Sequence, residues 1–303
     1  MFLLFKLFSF LPLWLAHGIG AALGWVVFVL SPTYRRRFLA NTQQAGYRFG
    51  QVVGAVAQTG RMVAEIPKLW TGDQGKPQNQ QQSGQQVPFE WDQASTITGV
   101  EAAYQKGKGV IFLTPHLGCF EIVAQAVALH FSAQYGPLTV LYRPARKAWM
   151  AQLVANSRDR PGLTAVPTNL FGVRQMIKAL RKGEAVGLLP DQVPPDGMGL
   201  WVPFFGKDAY TMTLAARLAA QTGATVLVSW GERLPWGRGY KLHFYELDQG
   251  LEGDLDAALA RMNGAMEGLI RDCPTQYLWG YGRYKHPRQE AGKESTSTRD
   301  TSA

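Results

Sequence analysis

Two residues five positions apart, His116 and Glu121, have the side chains in this sequence best suited to acid–base chemistry. They lie in TPHLGCFE (114–121), which directly continues the short apolar run GVIFLT (109–114). On one continuous helix, side chains at this spacing point ~140° apart, so they meet only if the histidine precedes the helix in a turn. The carboxylate would then orient the imidazole and stabilise its protonated form, leaving the other ring nitrogen to take a proton from a hydroxyl.

The nucleophile is expected to come from the substrate, because no serine stands beside His116 in the sequence. Cys119, three residues after His116, is the alternative nucleophile, and an acyl thioester on it would be reasonable chemistry. A free cysteine followed by apolar helix positions is usually a small buried side chain, so we expect Cys119 to serve packing. The remaining histidines lack metal-ligand spacing and no Cys-x-x-Cys occurs, so we expect no metal site.

The elements that must position these residues alternate between short apolar strands and longer helices. Strands are predicted at 109–114, 138–142, 185–189, 225–230 and 240–247, and helices at 119–131, 147–158, 173–183, 213–223 and 254–272. This alternation predicts an α/β fold, with a largely parallel mixed sheet flanked by helices. Sites in such folds lie at the carboxyl ends of strands, which is where His116 and Asp191 fall.

The N-terminal segment has the length and composition of a membrane anchor. Residues 11–30 carry no formal charge apart from the titratable His17, and ~20 apolar residues are what a helix needs to cross the hydrocarbon core. Three arginines follow at 35–37, which favours a cytoplasmic location for the rest of the chain. A cleaved signal peptide would have a shorter apolar core and a small-residue cleavage site, and a buried core helix is the other alternative.

The chain divides by composition into an anchor, a catalytic domain and polar segments. We predict a membrane anchor at 1–30, an amphipathic helical segment at 31–71, a linker at 72–90, a catalytic domain at 91–286 and a disordered tail at 287–303. The linker is predicted from seven glutamines within the thirteen residues 74–86, together with glycine and proline. The tail is predicted to be disordered because its composition is polar.

The charge and the cysteine content indicate which partners are expected and exclude several classes of protein. With 31 Lys and Arg against 22 Asp and Glu, the net charge is +9, which suits a phosphorylated substrate, an anionic membrane surface or an acidic partner. No nucleic-acid-binding motif or basic recognition helix accompanies this charge, so nucleic acid is not an expected partner. The two cysteines exclude a disulfide-stapled fold, and the 46% hydrophobic content excludes general disorder.

Several blocks of sequence, in a fixed order, resemble one family. Besides TPHLGCFE behind its strand, they are the anchor followed by arginines, LYRP (141–144), IKALRKGEAVGLLPDQ (177–192), VPFFGK (202–207) and PTQYLWGYGRYKHP (274–287). With these, roughly residues 1–70 and 95–287 resemble the bacterial lipid A biosynthesis acyltransferases, the lauroyl/myristoyl transferases of the His-x4-Asp/Glu glycerolipid acyltransferase superfamily. The chain departs from many relatives at 118–120, which read Gly-Cys-Phe rather than Gly-Asn-Trp.

The resemblance implies a reaction and roles for two residues. A fatty acyl chain would pass from acyl carrier protein to a hydroxyl of a 3-hydroxyacyl chain on a Kdo-modified lipid A precursor. His116 would be the general base and Glu121 its orienting partner, and no cofactor is implied. The enzyme would lie at the bacterial inner (cytoplasmic) membrane, with its catalytic domain in the cytoplasm.

Three further residues are candidates for substrate binding. Arg143 follows the second strand in YRP and suits a phosphate or carrier contact. Arg158, in NSRDR, corresponds by resemblance to an arginine that the family uses to bind substrate or stabilise charge. Asp191, in LPDQ, lies at the same predicted sheet edge as His116, where it could fix Arg158, bind a sugar hydroxyl or cap the site.

Two other functions remain open from the sequence. The acceptor could be another glycolipid, a lysophospholipid or glycerol phosphate, since acceptor choice depends on pocket shape. The chain could also be a membrane-tethered protein that binds carrier or anionic lipid with a catalytically dead site. The presence of His116, Glu121, Arg158 and Asp191 together argues against a dead site.

Overall fold

The computed structural model describes residues 2–71, 87–142 and 160–288. Within these ranges the α-helices are α1 (Phe2–Ser9), α2 (Leu13–Leu30), α3 (Pro32–Gln44), α4 (Phe49–Val52), α5 (Gly54–Thr71), α6 (Ala94–Gln105), α7 (Phe120–Tyr135), α8 (Leu170–Arg181), α9 (Leu214–Thr222) and α10 (Leu255–Asp272). The strands are β1 (Phe89–Trp91), β2 (Val110–Leu113), β3 (Leu138–Tyr142), β4 (Leu163–Pro167), β5 (Ala185–Leu188), β6 (Gly199–Phe204), β7 (Lys207–Met212), β8 (Thr225–Arg233) and β9 (Tyr240–Glu246).

Seven of these strands form the central sheet, in the order β1-β9-β8-β2-β5-β3-β4. Strands β8, β2, β5, β3 and β4 are mutually parallel, β9 is antiparallel to β8, and β1 is parallel to β9. Strands β6 and β7 pair with each other as an antiparallel hairpin outside this sheet. The predicted fold class, a largely parallel mixed sheet flanked by helices, is confirmed.

The central strand β2 shows why the sheet is covered on both faces. All four of its residues are buried, as expected for a parallel strand between two helical layers. Its side chains alternate, so that Val110 and Phe112 pack in a cluster with α6 and α7. Ile111 and Leu113 pack on the opposite face, in a cluster with α8, α9 and α10. The two layers hold β2 rigidly, and with it the residues that follow Leu113.

Helix α2 packs along α5 through glycines. A Cβ on Gly20 would lie 2.7 Å from the carbonyl oxygen of Gly60, and a Cβ on Gly24 would lie 2.4 Å from that of Val56. Such a close approach of two backbones requires small residues. By length and composition, α2 is the helix within the described ranges that could cross a membrane. Its outer face exposes large apolar side chains, including Trp14 and Leu30.

The N-terminal part differs in detail from the prediction. The segment 31–71 is divided into α3, α4 and α5, with a bend at Gly46, whose φ of +84° ends regular helix. Strand β1 begins at Phe89, inside the predicted linker 72–90, because its residues pair with β9 and form the edge of the sheet. Residues 72–86 lie outside the described ranges.

In the C-terminal half the structure adds strands that were not predicted. Strand β4 forms the sheet edge beside β3, and the β6–β7 hairpin joins the cluster that contains α10. The predicted helix at 147–158 and residues 289–303 of the predicted tail lie outside the described ranges.

Candidate active site

His116 lies in the turn between β2 and α7, at the carboxyl edge of the central sheet. Strand β8 pins this turn, because the backbone nitrogen of Cys119 donates to the carbonyl oxygen of Gly231 over 2.7 Å. Gly118 has φ +58°, and a Cβ there would lie 2.0 Å from the same oxygen. Only glycine fits such a position. As the sequence predicts, the histidine precedes the helix, which begins at Phe120.

Asp191 holds the imidazole of His116. The ring Nδ1 lies 2.8 Å from Oδ1 of the carboxylate, and the backbone nitrogen of His116 donates to Oδ2 over 2.9 Å. The two residues meet because β5 is the neighbour of β2, with Leu113 opposite Leu188. Each strand therefore delivers one of the two partners to the same edge of the sheet.

The Asp191 carboxylate is ionised although only 4% of the residue is exposed. Burial alone would raise its pKa, but His116, through the charge of its ring when protonated and through two hydrogen bonds, holds the pKa below its usual range, with a further contribution from Arg283. Tyr277 lies near the same carboxylate, and burial together with the negative charge of Asp191 raises the pKa of its phenol well above normal. A buried carboxylate in this state orients an imidazole and stabilises imidazolium.

The other ring nitrogen of His116 contacts Gln192, which the sequence reasoning did not single out. Nε2 of the glutamine amide lies 3.0 Å from Nε2 of the imidazole. A neutral histidine that donates from Nδ1 to Asp191 has a lone pair on Nε2, so the amide donates to that lone pair. Two consecutive residues therefore engage the two nitrogens of one ring. The only sequence signal for Gln192 was its place directly after Asp191.

Glu121 lies in the first turn of α7, as predicted, and lines an apolar pocket beside the histidine. The hydrogen bond to Nδ1 of His116 that was expected from Glu121 is made by Asp191 instead. The aromatic ring of Phe120, which also lines the pocket, contacts the imidazole, with a distance of 4.9 Å between the ring centroids. In this structure the orienting carboxylate is therefore Asp191, at a position where the sequence suggested a substrate contact.

The apolar pocket extends from the site between α7 and strands β2, β3 and β5. Its cavity volume is about 50 Å³, and it opens to solvent. Its lining residues are Phe112, Thr114, Phe120, Glu121, Val123, Ala124, Val127, Leu138, Val140, Leu141, Gly187, Leu188 and Leu189. Glu121 is the charged member of this lining, so the remaining wall suits a hydrocarbon chain. Gly187 leaves room where a Cβ would lie 3.1 Å from Cγ1 of Val140.

A buried ion pair lies behind the catalytic turn. Arg233, at the end of β8, donates from Nε and Nη2 to the two oxygens of Glu65, over 2.8 and 2.6 Å. The same Nη2 donates to the carbonyl oxygen of Gly118 over 3.0 Å. Glu65 also contacts Nε2 of His17 at 3.1 Å and accepts from the hydroxyl of Tyr240 over 2.8 Å. This network joins α2, α5 and β8 to the turn that carries His116.

Charge stabilisation within this network is strong enough to keep Glu65 ionised. Burial would raise the pKa of this carboxyl, but the charge of Arg233 and hydrogen bonds from Arg233 and His17 lower the pKa to about 2. Beside it, burial and then the charge of Glu65 raise the pKa of the Cys119 thiol well above normal. A buried, protonated thiol is a poor nucleophile, which agrees with the packing role expected for Cys119.

The predicted arginines Arg143 and Arg158 lie outside the described residues. Among the sequence-predicted site residues, the structure brings His116 and Asp191 into contact and places Glu121 in the first turn of α7. It adds Gln192 and places the ion pair of Glu65 and Arg233 behind them.

Comparisons with known proteins give a consistent result. The family model described as bacterial lipid A biosynthesis acyltransferase matches residues 2–286. The chain is 26% identical over 196 residues to a lipid A biosynthesis palmitoleoyltransferase of Escherichia coli K12, and 27% identical over 198 residues to a lipid A biosynthesis lauroyltransferase of the same organism. Each alignment covers 64% of this chain and 62% of the relative.

The alignment with a third relative covers a smaller share of both chains. A lipid A biosynthesis acyltransferase of Haemophilus influenzae is 26% identical over 180 residues, which are 59% of this chain and 55% of that protein. The chain thus spans less than two thirds of the length of each of these relatives.

Proposed function

Because the chain belongs to the bacterial lipid A biosynthesis acyltransferase family, we propose that it transfers a fatty acyl chain from acyl carrier protein to a lipid A precursor. The acceptor group is a hydroxyl of a 3-hydroxyacyl chain on the Kdo-modified precursor. One observation carries the proposal, namely a carboxylate-held imidazole, His116 with Asp191, whose ring neighbour Phe120 lines an apolar pocket. A base next to a channel for hydrocarbon is what acyl transfer to a hydroxyl requires.

In the proposed reaction, His116 acts as the general base. The acceptor hydroxyl gives its proton to Nε2 while its oxygen attacks the thioester carbonyl carbon. The carbon–sulfur bond then breaks, and the departing sulfur takes the proton back from Nε2. Asp191 keeps Nδ1 protonated and stabilises the imidazolium that exists between the two proton transfers. The proposed reaction does not use the Cys119 thiol, because it is buried and its pKa is raised.

The acyl chain of the donor occupies the pocket between α7 and strands β2, β3 and β5. Its thioester end then lies near Glu121, where Phe120 joins the pocket wall to the ring of His116. The net charge of +9 suits both an acidic carrier protein and a phosphorylated acceptor. Arg143 and Arg158 are proposed contacts for these anionic groups.

We assign the protein to the bacterial inner membrane, with the catalytic domain on the cytoplasmic side. The support is α2, an apolar helix of 18 residues with exposed apolar side chains on its outer face. Arg35 follows it and donates from Nη1 to the carbonyl oxygen of Val29 over 2.9 Å, which satisfies the end of the helix. Basic residues at this end favour the cytoplasmic side.

The test uses purified protein in detergent, acyl carrier protein thioesters of several chain lengths, and tetra-acylated lipid A precursor. Mass spectrometry should show a product heavier by one acyl chain. His116→Ala should abolish the product, whereas His130→Ala, at an exposed position late in α7, should retain it. Acylation of glycerol phosphate or a lysophospholipid, with none of the lipid A precursor, would contradict the proposed acceptor.

A further inference from the structure

The proposed reaction uses Nε2 of His116, and in this structure that nitrogen is occupied by the amide of Gln192 at 3.0 Å. The imidazole keeps 14% of its side chain exposed, so the site is open to solvent next to this contact. The glutamine itself is only partly buried. A side chain in this position covers the basic nitrogen without being locked into the core.

The contact excludes other donors from the base. A neutral imidazole that donates from Nδ1 has one lone pair, on Nε2, and the amide hydrogen bond occupies it. The amide of Gln192 and an incoming hydroxyl therefore compete for the same atom. Water is the other hydroxyl donor that would compete, and activated water destroys the donor thioester.

We propose that Gln192 is a positioning residue that covers Nε2 of His116 until the acceptor hydroxyl displaces it, and so suppresses hydrolysis of the acyl thioester. This inference rests on the proposed acyl transfer. In the suppressed reaction, water gives a proton to Nε2 and its oxygen bonds to the thioester carbonyl carbon. The carbon–sulfur bond breaks, the sulfur takes the proton, and the products are a fatty acid and a thiol.

Contacts on both sides of Gln192 hold its backbone in place, and its side chain is half-buried. The preceding Asp191 is held by His116, and the backbone nitrogen of the following Val193 donates to the hydroxyl of Tyr281 over 3.0 Å. A hydrogen bond between neutral groups contributes little net free energy, equivalent to a factor of about two to ten in an equilibrium. The acceptor is bound by further contacts with the protein, so its hydroxyl can displace such a bond. A single water gains only the one hydrogen bond to Nε2 and displaces the amide less readily.

The test compares hydrolysis with transfer in two variants. Gln192→Ala removes the amide and opens space, and Gln192→Met keeps a side chain of similar length without a hydrogen-bond donor. Thiol release from acyl carrier protein thioester is measured without acceptor, and product formation is measured with acceptor. We expect the ratio of hydrolysis to transfer to rise at least about threefold in both variants, the factor that loss of such a bond permits. Gln221→Ala, at an exposed glutamine of α9, should leave the ratio unchanged.

The added hydrolysis must run through His116. We therefore expect the double variant His116→Ala/Gln192→Ala to return thiol release to background. Unchanged hydrolysis in both single variants of folded protein would overturn the proposal, and so would loss of hydrolysis and transfer together. Because thiol release needs no acceptor, failure of the wild type to acylate the lipid A precursor would overturn the proposed function and leave the role of Gln192 to be decided separately.

Discussion

Asp191 accepts two hydrogen bonds from a single residue, His116, one from the ring Nδ1 at 2.8 Å and one from the backbone nitrogen at 2.9 Å. The carboxylate thus fixes both the orientation of the imidazole and the turn that carries it. The arrangement follows directly from strand order, since β5 is the neighbour of β2 in the sheet. Loss of the carboxylate would release the ring and remove one of the hydrogen bonds that hold the turn.

The buried ion pair leads to a prediction on stability. Arg233→Met leaves the carboxylate of Glu65 buried without its main partner, and breaking a buried pair in this way costs about 3–5 kcal/mol. Denaturant unfolding in detergent should show this loss in the free energy of unfolding. The double variant Glu65→Gln/Arg233→Met should recover part of it, because no uncompensated charge remains. A single variant as stable as the wild type would contradict the importance of the pair.

The same carboxylate predicts a dependence of stability on pH. The pKa of Glu65 is about 2 in the folded protein against an ordinary value of 4.5. A depressed pKa contributes stability that is present above the unfolded value and is lost as pH falls toward the folded value. Between about pH 5 and pH 2, this group should therefore account for a loss of about 3 kcal/mol, at about 1.36 kcal/mol per pKa unit.

Comparison with a variant isolates the contribution of Glu65 from those of other acids. Glu65→Gln should have a lower free energy of unfolding at neutral pH and a shallower decline between about pH 5 and pH 2. Unfolding curves at several pH values would measure both slopes. Parallel declines in the wild type and the variant would show that Glu65 is not the titrating group.

The apolar pocket gives a prediction on chain length. At Gly187 a Cβ would lie 3.1 Å from Cγ1 of Val140 and 3.8 Å from Cδ1 of Leu138, so a larger side chain there fills the pocket wall. We expect Gly187→Val to shift the preferred donor to a shorter acyl chain. Each misfitted methylene changes the ratio of kcat/KM values by about 10- to 200-fold. Competition between donors of different length, read by mass spectrometry, measures this ratio.

A second glycine variant serves as the control for this experiment. Gly264 lies on α10, where a Cβ would meet nothing within 4 Å. Gly264→Val should therefore keep the chain-length preference of the wild type. An unchanged preference in Gly187→Val as well would mean that the acyl chain does not lie in this pocket.

Much of the fold follows from the sequence because most strands are buried apolar runs. Strand β4 escaped prediction because it is an edge strand with alternating exposure that ends in Pro167. The hairpin β6–β7 escaped because it lies outside the main sheet and breaks the regular alternation of strands and helices.

The sequence was sufficient to predict which residues lie at the site, but not which of them contact one another. The sequence places His116 and Asp191 at one sheet edge, but it does not reveal that β5 inserts between β2 and β3 and so brings the two together. For the same reason, Glu121, the carboxylate nearer to His116 in the sequence, was expected to hold the imidazole. The partners of Glu65 are 48, 168 and 175 residues away, and no local pattern signals such pairs.

The most direct measurement is the rate of a single turnover of acyl transfer in Asp191→Asn and Glu121→Gln, each compared with the wild type. If Asp191 orients His116, its amide variant should be slower by about 10³- to 10⁴-fold, because an amide favours the wrong imidazole tautomer. The loss in Glu121→Gln should be smaller, because in this structure Nδ1 of His116 bonds to Asp191. An Asp191→Asn rate close to that of the wild type, or a larger loss in Glu121→Gln, would contradict the central role of the His116–Asp191 pair.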